Sequence, residues 1–431
     1  MRIGGRLAGA IEILADVEER RRPIASALKD WGTAHRFAGS GDRAAIGNIV
    51  YDALRLKLSH AFMMDDDSPA ALAHAVLFRQ WGIAPEALAE RLDGDKFAPE
   101  PLPEATLAAF ASRDLADAPD AVRGDLPEWI LPSFRENFAE DWLGEAEALN
   151  LRPPLDLRVN TLKATREKVL KALSRSGAAA GAIAPEAIRI PPGSGPDRLP
   201  NVTAELSFQK GWFEVQDQGS QIVSKMVGAK AGDQVLDFCA GGGGKTLALA
   251  AAMDNAGQVH AYDADRTRLA PIIERLKRAG TRNVQVHDAL EGLSGLEERF
   301  DRVLVDAPCT GTGTWRRRPD IKWRLSEKNL EERMAQQAEV LAEASRFVKP
   351  GGQLVYVTCS LLPEENQGRI AGFLASDAGS AFEPVDMETM WSTTFPGIEA
   401  RPYFPVRGAV TLTPAATGTD GFFCAILDRK A

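Results

Sequence analysis

Two of the four cysteines stand beside residues whose chemistry complements a thiol. Cys309 follows Asp306-Ala-Pro in the stretch VDAPCTGTGTWRRRPDIKW (305–323), and Cys359 lies in a Thr-Cys-Ser triplet. A thiolate is a strong nucleophile that can add to an unsaturated carbon, whereas a free cysteine is only a few per cent thiolate at neutral pH. We therefore expect covalent catalysis by one of these thiols, and the spacing leaves open which one attacks.

A glycine-rich loop is the second chemical signal. Its residues are Cys239, Ala240, Gly241, Gly242, Gly243, Gly244 and Lys245. A P-loop needs glycine where Cys239 stands, and a dinucleotide fingerprint starting at Gly241 needs glycine at 246, which is threonine. An ATPase and a nicotinamide enzyme are therefore disfavoured, although a loop without side chains still lets the backbone approach a nucleoside. The alternative is a simple tight turn.

Carboxylates follow consecutive apolar runs that read as strands. Asp237, Asp263 and Asp288 each stand at the end of such a run. An acidic residue after the second strand is suited to hydrogen-bond a ribose 2′-hydroxyl, so Asp263 points to an adenosine cofactor without phosphates, a description that S-adenosylmethionine meets. Each of these aspartates could instead be a helix N-cap.

A sulfonium methyl donor and a reactive thiol together suggest methyl transfer to carbon. C5 of a pyrimidine is unreactive until a thiolate adds to C6, which turns C5 into an enamine-like nucleophile. Asp306 could hydrogen-bond the Watson–Crick edge of such a base and stabilise the charge that develops. Cys424 and Cys239 are interpreted differently: the first as a core residue of an alternating apolar strand, the second as a backbone contact in the cofactor loop.

A basic, aromatic segment follows Cys309. The candidates for RNA contact are Trp315, Arg316, Arg317, Arg318, Lys322 and Trp323. Guanidinium and indole groups can grip a phosphate backbone and stack a base that has left its helix. The alternative is a solvated charged turn.

These residues need a scaffold that brings distant positions together. Apolar runs at 234–238, 258–262, 284–287, 302–305 and 353–358 alternate with helical patterns such as 269–278 and 330–347. Such alternation predicts a mostly parallel sheet with helices on both faces, whose ligands bind at the carboxyl ends of the strands. Asp237, Asp263, Asp288, Cys309 and Cys359 would then share one edge.

The remainder of the chain predicts two further domains. Residues 1–145 read as helical, with Asp42 as a plausible N-cap, and Arg20, Arg21, Arg22, Arg43 and Arg55 read as surface charges rather than RNA contacts. Residues 150–212 read as a small α+β module, with strands at 155–159 and 188–190 and a helix at 165–176. The third domain is the α/β unit at 213–431.

Composition bounds the remaining possibilities. The 431 residues carry 45% hydrophobic and 26% charged residues and a net charge of −9, which describes a folded protein whose basic residues are local exceptions. No apolar run is long enough for a membrane span, no secretory signal is recognisable, and Cys and His lack metal-ligand spacing. We therefore expect a cytoplasmic protein without a metal site, and three domains on one chain are compatible with a monomer.

The catalytic half resembles the Nop/Sun family of S-adenosylmethionine-dependent RNA cytosine-C5 methyltransferases. The resemblance rests on DQGSQ at 217–221, the 237–246 loop, DAPCTG at 306–311, RRPDIKW at 317–323, TCS at 358–360 and DGFF at 420–423. Residues 1–145 resemble more loosely the NusB-like RNA-binding domain of the bacterial 16S rRNA branch, through 42–46 and 50–55, and residues 157–163 resemble the opening of the family's small domain.

The resemblance implies a multidomain protein with an all-α N-terminal domain, a small α+β RNA-binding module and a Rossmann-like class I methyltransferase domain. It implies that Cys359 attacks C6, that Cys309 assists product release, and that Cys239 to Lys245, Asp263, Asp288 and Asp306 contact S-adenosylmethionine. RNA, and rRNA rather than tRNA, is the implied partner.

One departure from the family pattern is visible. The usual CAAPGGK loop reads CAGGGGK, with Gly242 in place of proline, and this should loosen the turn. Two alternatives stay open: methylation of an exocyclic amine, which needs no thiol, and an RNA-binding assembly factor with a vestigial methyltransferase fold.

Overall fold

The computed structural model describes residues 1–431, which contacts between Cα atoms divide into two compact units. The first comprises Met1–Pro153, Pro192–Leu199 and Thr314–Leu325, and the second comprises Pro154–Pro191, Pro200–Gly313 and Ser326–Ala431. The segment Thr314–Leu325 therefore belongs with the helical N-terminal residues, although it lies inside the range 213–431 that the sequence predicts as one domain. The division into three domains stays a prediction.

The chain forms helices throughout. The α-helices are α1 (Ile3–Arg20), α2 (Ile24–Ala34), α3 (Ser40–Arg55), α4 (Lys57–Met64), α5 (Pro69–Arg79), α6 (Pro85–Leu92), α7 (Glu104–Ser112), α8 (Asp120–Arg123), α9 (Leu131–Phe138), α10 (Trp142–Leu149), α11 (Arg166–Ala172), α12 (Leu206–Gln209), α13 (Gln218–Met226), α14 (Gly244–Ala252), α15 (Arg266–Leu269), α16 (Ile272–Ala279), α17 (Pro319–Arg324), α18 (Glu327–Ser345), α19 (Gln367–Leu374), α20 (Met387–Thr394) and α21 (Pro414–Thr417). Short 3-10 helices lie at Leu115–Asp117, Glu128–Ile130, Ala139–Asp141, Val202–Ala204, Leu290–Leu293 and Thr312–Thr314.

Twelve strands build two sheets. They are β1 (Leu155–Val159), β2 (Ala179–Ala180), β3 (Ala187–Ile190), β4 (Phe213–Val215), β5 (Gln234–Asp237), β6 (Gln258–Tyr262), β7 (Val284–His287), β8 (Phe300–Asp306), β9 (Val348–Thr358), β10 (Phe382–Pro384), β11 (Ala409–Leu412) and β12 (Phe422–Arg429).

The helical unit buries one apolar core. α1, α3 and α5 pack around residues such as Leu7, Ile46 and Val76, none of which is accessible to solvent. The helix that was predicted after Asp42 begins earlier, at Ser40, with Gly39 as its N-cap. Asp42 occupies the third position instead, where its carboxylate accepts a hydrogen bond from the Gly39 N–H at 3.3 Å, so its prediction as the N-cap is wrong.

The second unit contains a small antiparallel sheet and a large mixed sheet. The small sheet has the order β2-β3-β1-β4. Its strand β4 lies just beyond residue 212, the predicted end of the α+β module. α11 begins after Thr165, whose hydroxyl accepts a hydrogen bond from the Lys168 N–H at 3.3 Å and caps the helix.

The large sheet has the order β10-β12-β9-β8-β5-β6-β7, with β11 paired to β12. Strands β5 to β9 pair in parallel, while β10, β11 and β12 pair antiparallel, as expected for a mostly parallel Rossmann-like sheet. The chain runs from β5 outward to β7 and then returns to β8 on the other side of β5. This reversal creates a crevice at the carboxyl ends of β5 and β8, the usual ligand site of such sheets.

Local differences from the expected elements have simple causes. The helical pattern at 269–278 is two helices, because Pro271 interrupts the backbone hydrogen bonding between α15 and α16. Cys424 lies in β12 with no exposed surface, which confirms its interpretation as a core residue. No helix is both long enough and apolar enough to cross a bilayer.

Candidate active site

The two thiols lie at the carboxyl ends of neighbouring parallel strands. β8 and β9 pair with Asp306 opposite Val357, so the residues that follow each strand emerge side by side. The Sγ atoms of Cys309 and Cys359 are 3.4 Å apart, and both residues are half-buried. Two residues that are 50 positions apart in the sequence can therefore act together on one bound substrate.

The two cysteines differ in their surroundings. The hydrogen bond between the two sulfur atoms, together with burial, raises the pKa of the Cys309 thiol well above its ordinary value. Cys309 is therefore a neutral thiol near pH 7, and its S–H can donate toward the sulfur of Cys359.

A buried carboxylate holds the loop that carries Cys309. Glu365 has no exposed surface and accepts hydrogen bonds from the Thr310 N–H at 2.8 Å, the Thr310 hydroxyl and the Gln337 Nε2 at 2.9 Å. Gln337 also donates to the Pro308 carbonyl at 3.0 Å. These contacts fix the backbone on both sides of Cys309.

A buried amide performs the same task for Cys359. Asn366 Nδ2 donates to the Ser360 carbonyl at 2.9 Å, and Asn366 Oδ1 accepts from the Thr358 hydroxyl at 2.6 Å. The Gly313 N–H donates to the Cys359 carbonyl at 2.9 Å and ties the two cysteine loops together.

Glu365 and Asn366 were missed by the sequence reasoning. They lie in Pro-Glu-Glu-Asn at 363–366, shortly before α19, where acidic and amide residues commonly form an exposed helix start. The one available signal was their closeness in sequence to the Thr-Cys-Ser triplet.

An ion pair lies beside the thiols. Lys245 Nζ is 2.6 Å from Asp306 Oδ2, and Lys245 is almost completely buried. Burial alone would lower the pKa of Lys245, but the Asp306 carboxylate outweighs it, so the pKa of Lys245 is raised and the residue stays cationic. A thiolate at Cys359 interacts favourably with this ammonium group.

The glycine loop joins β5 to α14 in a conformation that side chains would oppose. Gly241 and Gly243 have φ angles of +50° and +80°, and a Cβ on Gly243 would lie 2.5 Å from Ile272 Cγ1. The Gly241 N–H donates to Asp263 Oδ2 at 2.8 Å. The loop is therefore more than a generic tight turn, because its shape is tied to the carboxylate at the end of β6.

The three aspartates at the strand ends have different environments. Asp263 is buried, and each of its oxygens accepts one backbone N–H, from Gly241 and Asp265, at 2.8 Å. Each oxygen keeps a further lone pair for a ribose hydroxyl. Asp288 is open to solvent at 66% exposure of its side chain, 3.4 Å from Arg266.

Asp237 is enclosed rather than facing the crevice. It has no exposed surface, its Oδ2 accepts the Thr246 hydroxyl at 2.7 Å, and burial raises its pKa to about 7. None of the three aspartates is a helix N-cap: Gly243 precedes α14, Asp265 precedes α15 and Ala289 precedes the 3-10 helix after β7.

These residues fit S-adenosylmethionine. The backbone of the glycine loop is open to close approach, Asp263 can accept from a ribose, and the carboxylate of Asp306 suits a sulfonium cation. Cys239 suits a backbone contact, because burial and the nearby Asp263 carboxylate raise the pKa of its thiol and keep it neutral. No group of three or more His, Cys, Asp or Glu side chains is arranged to hold a metal ion.

The basic segment after Cys309 is mostly interior to the helical unit. Trp315, Arg316 and Lys322 are 1%, 4% and 1% exposed, so the prediction that these three side chains contact RNA is corrected. Trp315 stacks on Phe134 with ring centroids 6.1 Å apart, and Arg55 Nε donates to the Arg316 carbonyl at 2.8 Å.

Lys322 is anchored rather than solvated. Its Nζ donates to the Arg55 carbonyl at 3.0 Å and to Asn150 Oδ1 at 2.8 Å, and the half-buried Trp323 donates from Nε1 to the Leu54 carbonyl at 2.6 Å.

Arg55 is itself buried and pairs with Asp52, so it is not a surface charge. Among the predicted RNA-binding arginines, Arg318 is exposed and Arg317 is half-buried.

Two family models match this chain. Residues 225–428 match the model described as 16S rRNA methyltransferase RsmB/F, and residues 126–193 match the ferredoxin-like domain of the RsmF/B-like methyltransferases.

Relatives named ribosomal RNA small subunit methyltransferase B are 37% identical over 329 residues in Cronobacter sakazakii and 38% identical over 308 residues in Pectobacterium atrosepticum. The matches cover 75% and 70% of this chain and 69% and 66% of those proteins.

Solved structures share the fold. The crystal structure of PH0851 superposes with a TM-score of 0.74 at 24% identity and covers 100% of both chains. The structure of NSun6 from Pyrococcus horikoshii with SFG, an analogue of S-adenosylmethionine, superposes with a TM-score of 0.61 at 21% identity over 71% of this chain and 99% of that one.

Proposed function

Because this chain belongs to the RsmB/F family of S-adenosylmethionine-dependent rRNA methyltransferases, we propose that it methylates C5 of a cytosine in rRNA through a covalent bond from Cys359 to C6. The observation that carries the proposal is the pair of half-buried thiols, 3.4 Å apart, beside the Lys245–Asp306 ion pair. Methylation of nitrogen or oxygen has no need of two thiols in one crevice.

The covalent step solves the problem of an unreactive carbon. The Cys359 thiolate adds to C6, and the electron pair of the C5–C6 double bond becomes available at C5. S-adenosylmethionine supplies the methyl group that C5 accepts. A base then takes the C5 proton, the double bond reforms, and the C6–S bond breaks with its electron pair returning to Cys359.

Cys309 is proposed to assist the release of Cys359. A neutral S–H at 3.4 Å from the departing sulfur can donate a hydrogen bond to the thiolate that forms as the C6–S bond breaks. Its raised pKa makes Cys309 unsuited to be the first nucleophile, because it holds its proton at neutral pH.

Asp306 and Lys245 are proposed to act on charge. The carboxylate accepts hydrogen bonds from the Watson–Crick edge of the cytosine, while the ammonium group pairs with this carboxylate and attracts negative charge that develops on the Cys359 sulfur. Both side chains lie within one salt bridge, so neither carries an unpaired buried charge before substrate binds.

The cofactor is proposed to bind at the carboxyl ends of β5 and β6, on the same edge of the sheet as the crevice. The glycine loop from Cys239 to Lys245 would hold its nucleoside and Asp263 its ribose, while Asp288, being exposed, would contact it from the rim. The target base must leave its stack to reach the thiols, and Arg317 and Arg318 remain the candidates in the basic segment for contact with flanking phosphates.

Substitution of Cys359 separates this proposal from its nearest rival. Cys359→Ala should abolish methylation of rRNA, whereas methylation of an exocyclic amine would survive the change. Cys424→Ala is the matched control, because this cysteine is buried in β12 and should leave the rate per folded molecule unchanged. Methyl transfer from labelled S-adenosylmethionine to rRNA measures all three proteins.

Substitution of Cys309 tests which thiol attacks. Cys309→Ala should accumulate an RNA adduct that survives denaturing electrophoresis, because addition proceeds while release slows. An adduct that requires Cys309 and persists without Cys359 would reverse the assignment. Bisulfite mapping of rRNA from a deletion strain identifies the target nucleotide.

An assembly factor with a vestigial methyltransferase fold makes a different prediction. Such a protein would show no heat of binding when S-adenosylmethionine is added in a calorimeter. Saturable binding followed by methyl transfer would exclude this alternative.

A further inference from the structure

The glycine loop lacks the proline that stiffens it in the family pattern, and a side chain from α16 contacts the residue at that position. We propose that Arg275 is a positioning residue for the S-adenosylmethionine site, where it fixes the glycine loop through the carbonyl group of Gly242. The inference rests on the proposed function, because it assumes that this loop holds the cofactor.

Arg275 joins the loop to a buried anchor. Its Nη1 donates to the Gly242 carbonyl at 2.6 Å, and its Nη2 donates to Glu214 Oε2 at 3.1 Å. Glu214 lies in β4 with 5% of its side chain exposed and also accepts a hydrogen bond from Arg278 Nη2 at 2.5 Å. The buried Glu214 carboxylate therefore fixes the position of the Arg275 guanidinium that contacts the loop.

The guanidinium also occupies the space beside Gly242. A Cβ on Gly242 would lie 3.2 Å from Arg275 Nη1, so the arginine packs where the side chain of another residue at 242 would begin. In this chain a long-range contact supplies the restraint that a proline would supply locally.

The other glycines of the loop have their own restraints. The Gly241 N–H donates to Asp263, Gly243 packs against Ile272, and the Gly244 carbonyl accepts from Arg158 Nη1 at 2.7 Å. Arg275 supplies the corresponding side-chain contact to Gly242. Glycine has more backbone freedom than any other residue. Loss of the hydrogen bond from Arg275 to the Gly242 carbonyl should therefore widen the range of conformations that the loop adopts.

Loop freedom lowers affinity in a predictable way. A ligand that binds one loop shape must select it from the others, so its apparent dissociation constant rises as that shape becomes rarer. Once S-adenosylmethionine is bound, the loop shape is the same, and the chemistry at Cys359 should proceed at its normal rate. The effect of losing Arg275 should therefore appear in KM for S-adenosylmethionine and not in kcat.

The experiment compares two arginines of the same helix. Arg275→Met removes the contact with Gly242. Arg278→Met is the control, because Arg278 also donates to Glu214 but its side-chain hydrogen bond does not reach the loop. The two side chains are similarly exposed, at 24% for Arg275 and 23% for Arg278. Calorimetric titration of each full-length protein with S-adenosylmethionine should give a Kd about tenfold weaker for Arg275→Met, and within about twofold of wild type for Arg278→Met.

Two further measurements keep the result interpretable. Hydrogen exchange of the amides at 241–244 without cofactor should be faster in Arg275→Met than in Arg278→Met. Arg275→Lys, which keeps a single donor, should lie between Arg275→Met and wild type in Kd, with kcat at saturating cofactor unchanged.

Equal affinity of Arg275→Met and wild type would overturn the inference, and so would an equal loss in Arg278→Met, which would assign the effect to Glu214. Wild-type protein that fails to bind S-adenosylmethionine would instead overturn the proposed function, and the inference with it.

Discussion

Two buried carboxylates lie among the residues that position the glycine loop and the loop of Cys309. Asp237 and Glu365 have no exposed surface, and burial raises the pKa of each. Glu365 accepts several hydrogen bonds, which work against this rise, whereas Asp237 Oδ1 has no partner in the protein. The two residues therefore predict different experiments.

The first prediction concerns the pH dependence of stability. The pKa of Asp237 is about 7 in the folded protein and close to 3.8 when unfolded, so folding favours its protonated form. This stabilising contribution is complete below pH 4 and is lost as the pH rises through about 7. Asp237→Asn stays neutral, so its stability relative to wild type should rise by about 1 kcal/mol per pH unit in this window, measured by urea unfolding. A constant difference would contradict the raised pKa.

The second prediction concerns the loop of Cys309. Glu365→Gln places an amide N–H₂ where donors already point, so the free energy of unfolding should fall by about 1–3 kcal/mol. Glu339→Gln, on the exposed face of α18, should change it by less than about 0.5 kcal/mol. Chemical denaturation of both variants measures the difference. An equal change in the free energy of unfolding for both variants would show that the hydrogen bonds of Glu365 do not stabilise the folded protein.

At the scale of elements, α17 and its flanking residues form a part of the helical unit rather than a surface loop. Burial lowers the pKa of Lys322 to about 8, although the Asp125 carboxylate favours its charge. Lys322 satisfies a buried carbonyl group and a buried amide oxygen, so a basic residue in this segment was an ambiguous sign of RNA binding.

The third prediction separates these two meanings of a basic residue. Lys322→Met should lower the free energy of unfolding by about 2–4 kcal/mol, because Asn150, the Arg55 carbonyl and Asp125 lose a buried partner. Arg318→Met should leave stability within about 0.5 kcal/mol and weaken rRNA binding in a salt-dependent way. Urea unfolding and filter binding at two salt concentrations test both variants, and the reverse pattern would restore Lys322 as an RNA contact.

At the scale of the whole molecule, the chain passes between its two units at 153/154, 191/192, 199/200, 313/314 and 325/326. The last segment of the chain that belongs to the helical unit, Thr314–Leu325, begins shortly after Cys309. The helical unit is therefore not an independent extension at the N-terminus, because it is completed by a segment from the middle of the catalytic half.

The fourth prediction follows from this connectivity. A chain that starts at residue 154 lacks the partners of Trp315 and Lys322, so trypsin should cleave it at Arg316–Arg318 at least about tenfold faster than full-length protein. Mass spectrometry of early fragments locates the cut. Equal protection in the two chains would mean that the segment is held without the helical unit.

The sequence predicted the order of strands β5 to β9 and the chemical groups that follow them. Apolar runs and the breaks between them are local signals, so strands β6 and β7 have the predicted bounds, and Cys309 and Cys359 stand after strands as expected. The glycine loop was likewise visible, because the conformational freedom of glycine is a property of the residue itself.

Which groups meet and which are buried could not be read from the sequence, because both depend on contacts between distant residues. Arg55 and the Arg316 carbonyl are 261 positions apart in the sequence. Arg275 and the Gly242 carbonyl are 33 positions apart, and α14, β6 and α15 lie between them in the chain. Exposure depends on neighbours brought in by folding, and composition carries no record of them. Trp315, Arg316 and Lys322, which suggest an RNA surface when read from the sequence, are therefore buried in the helical unit of the folded chain.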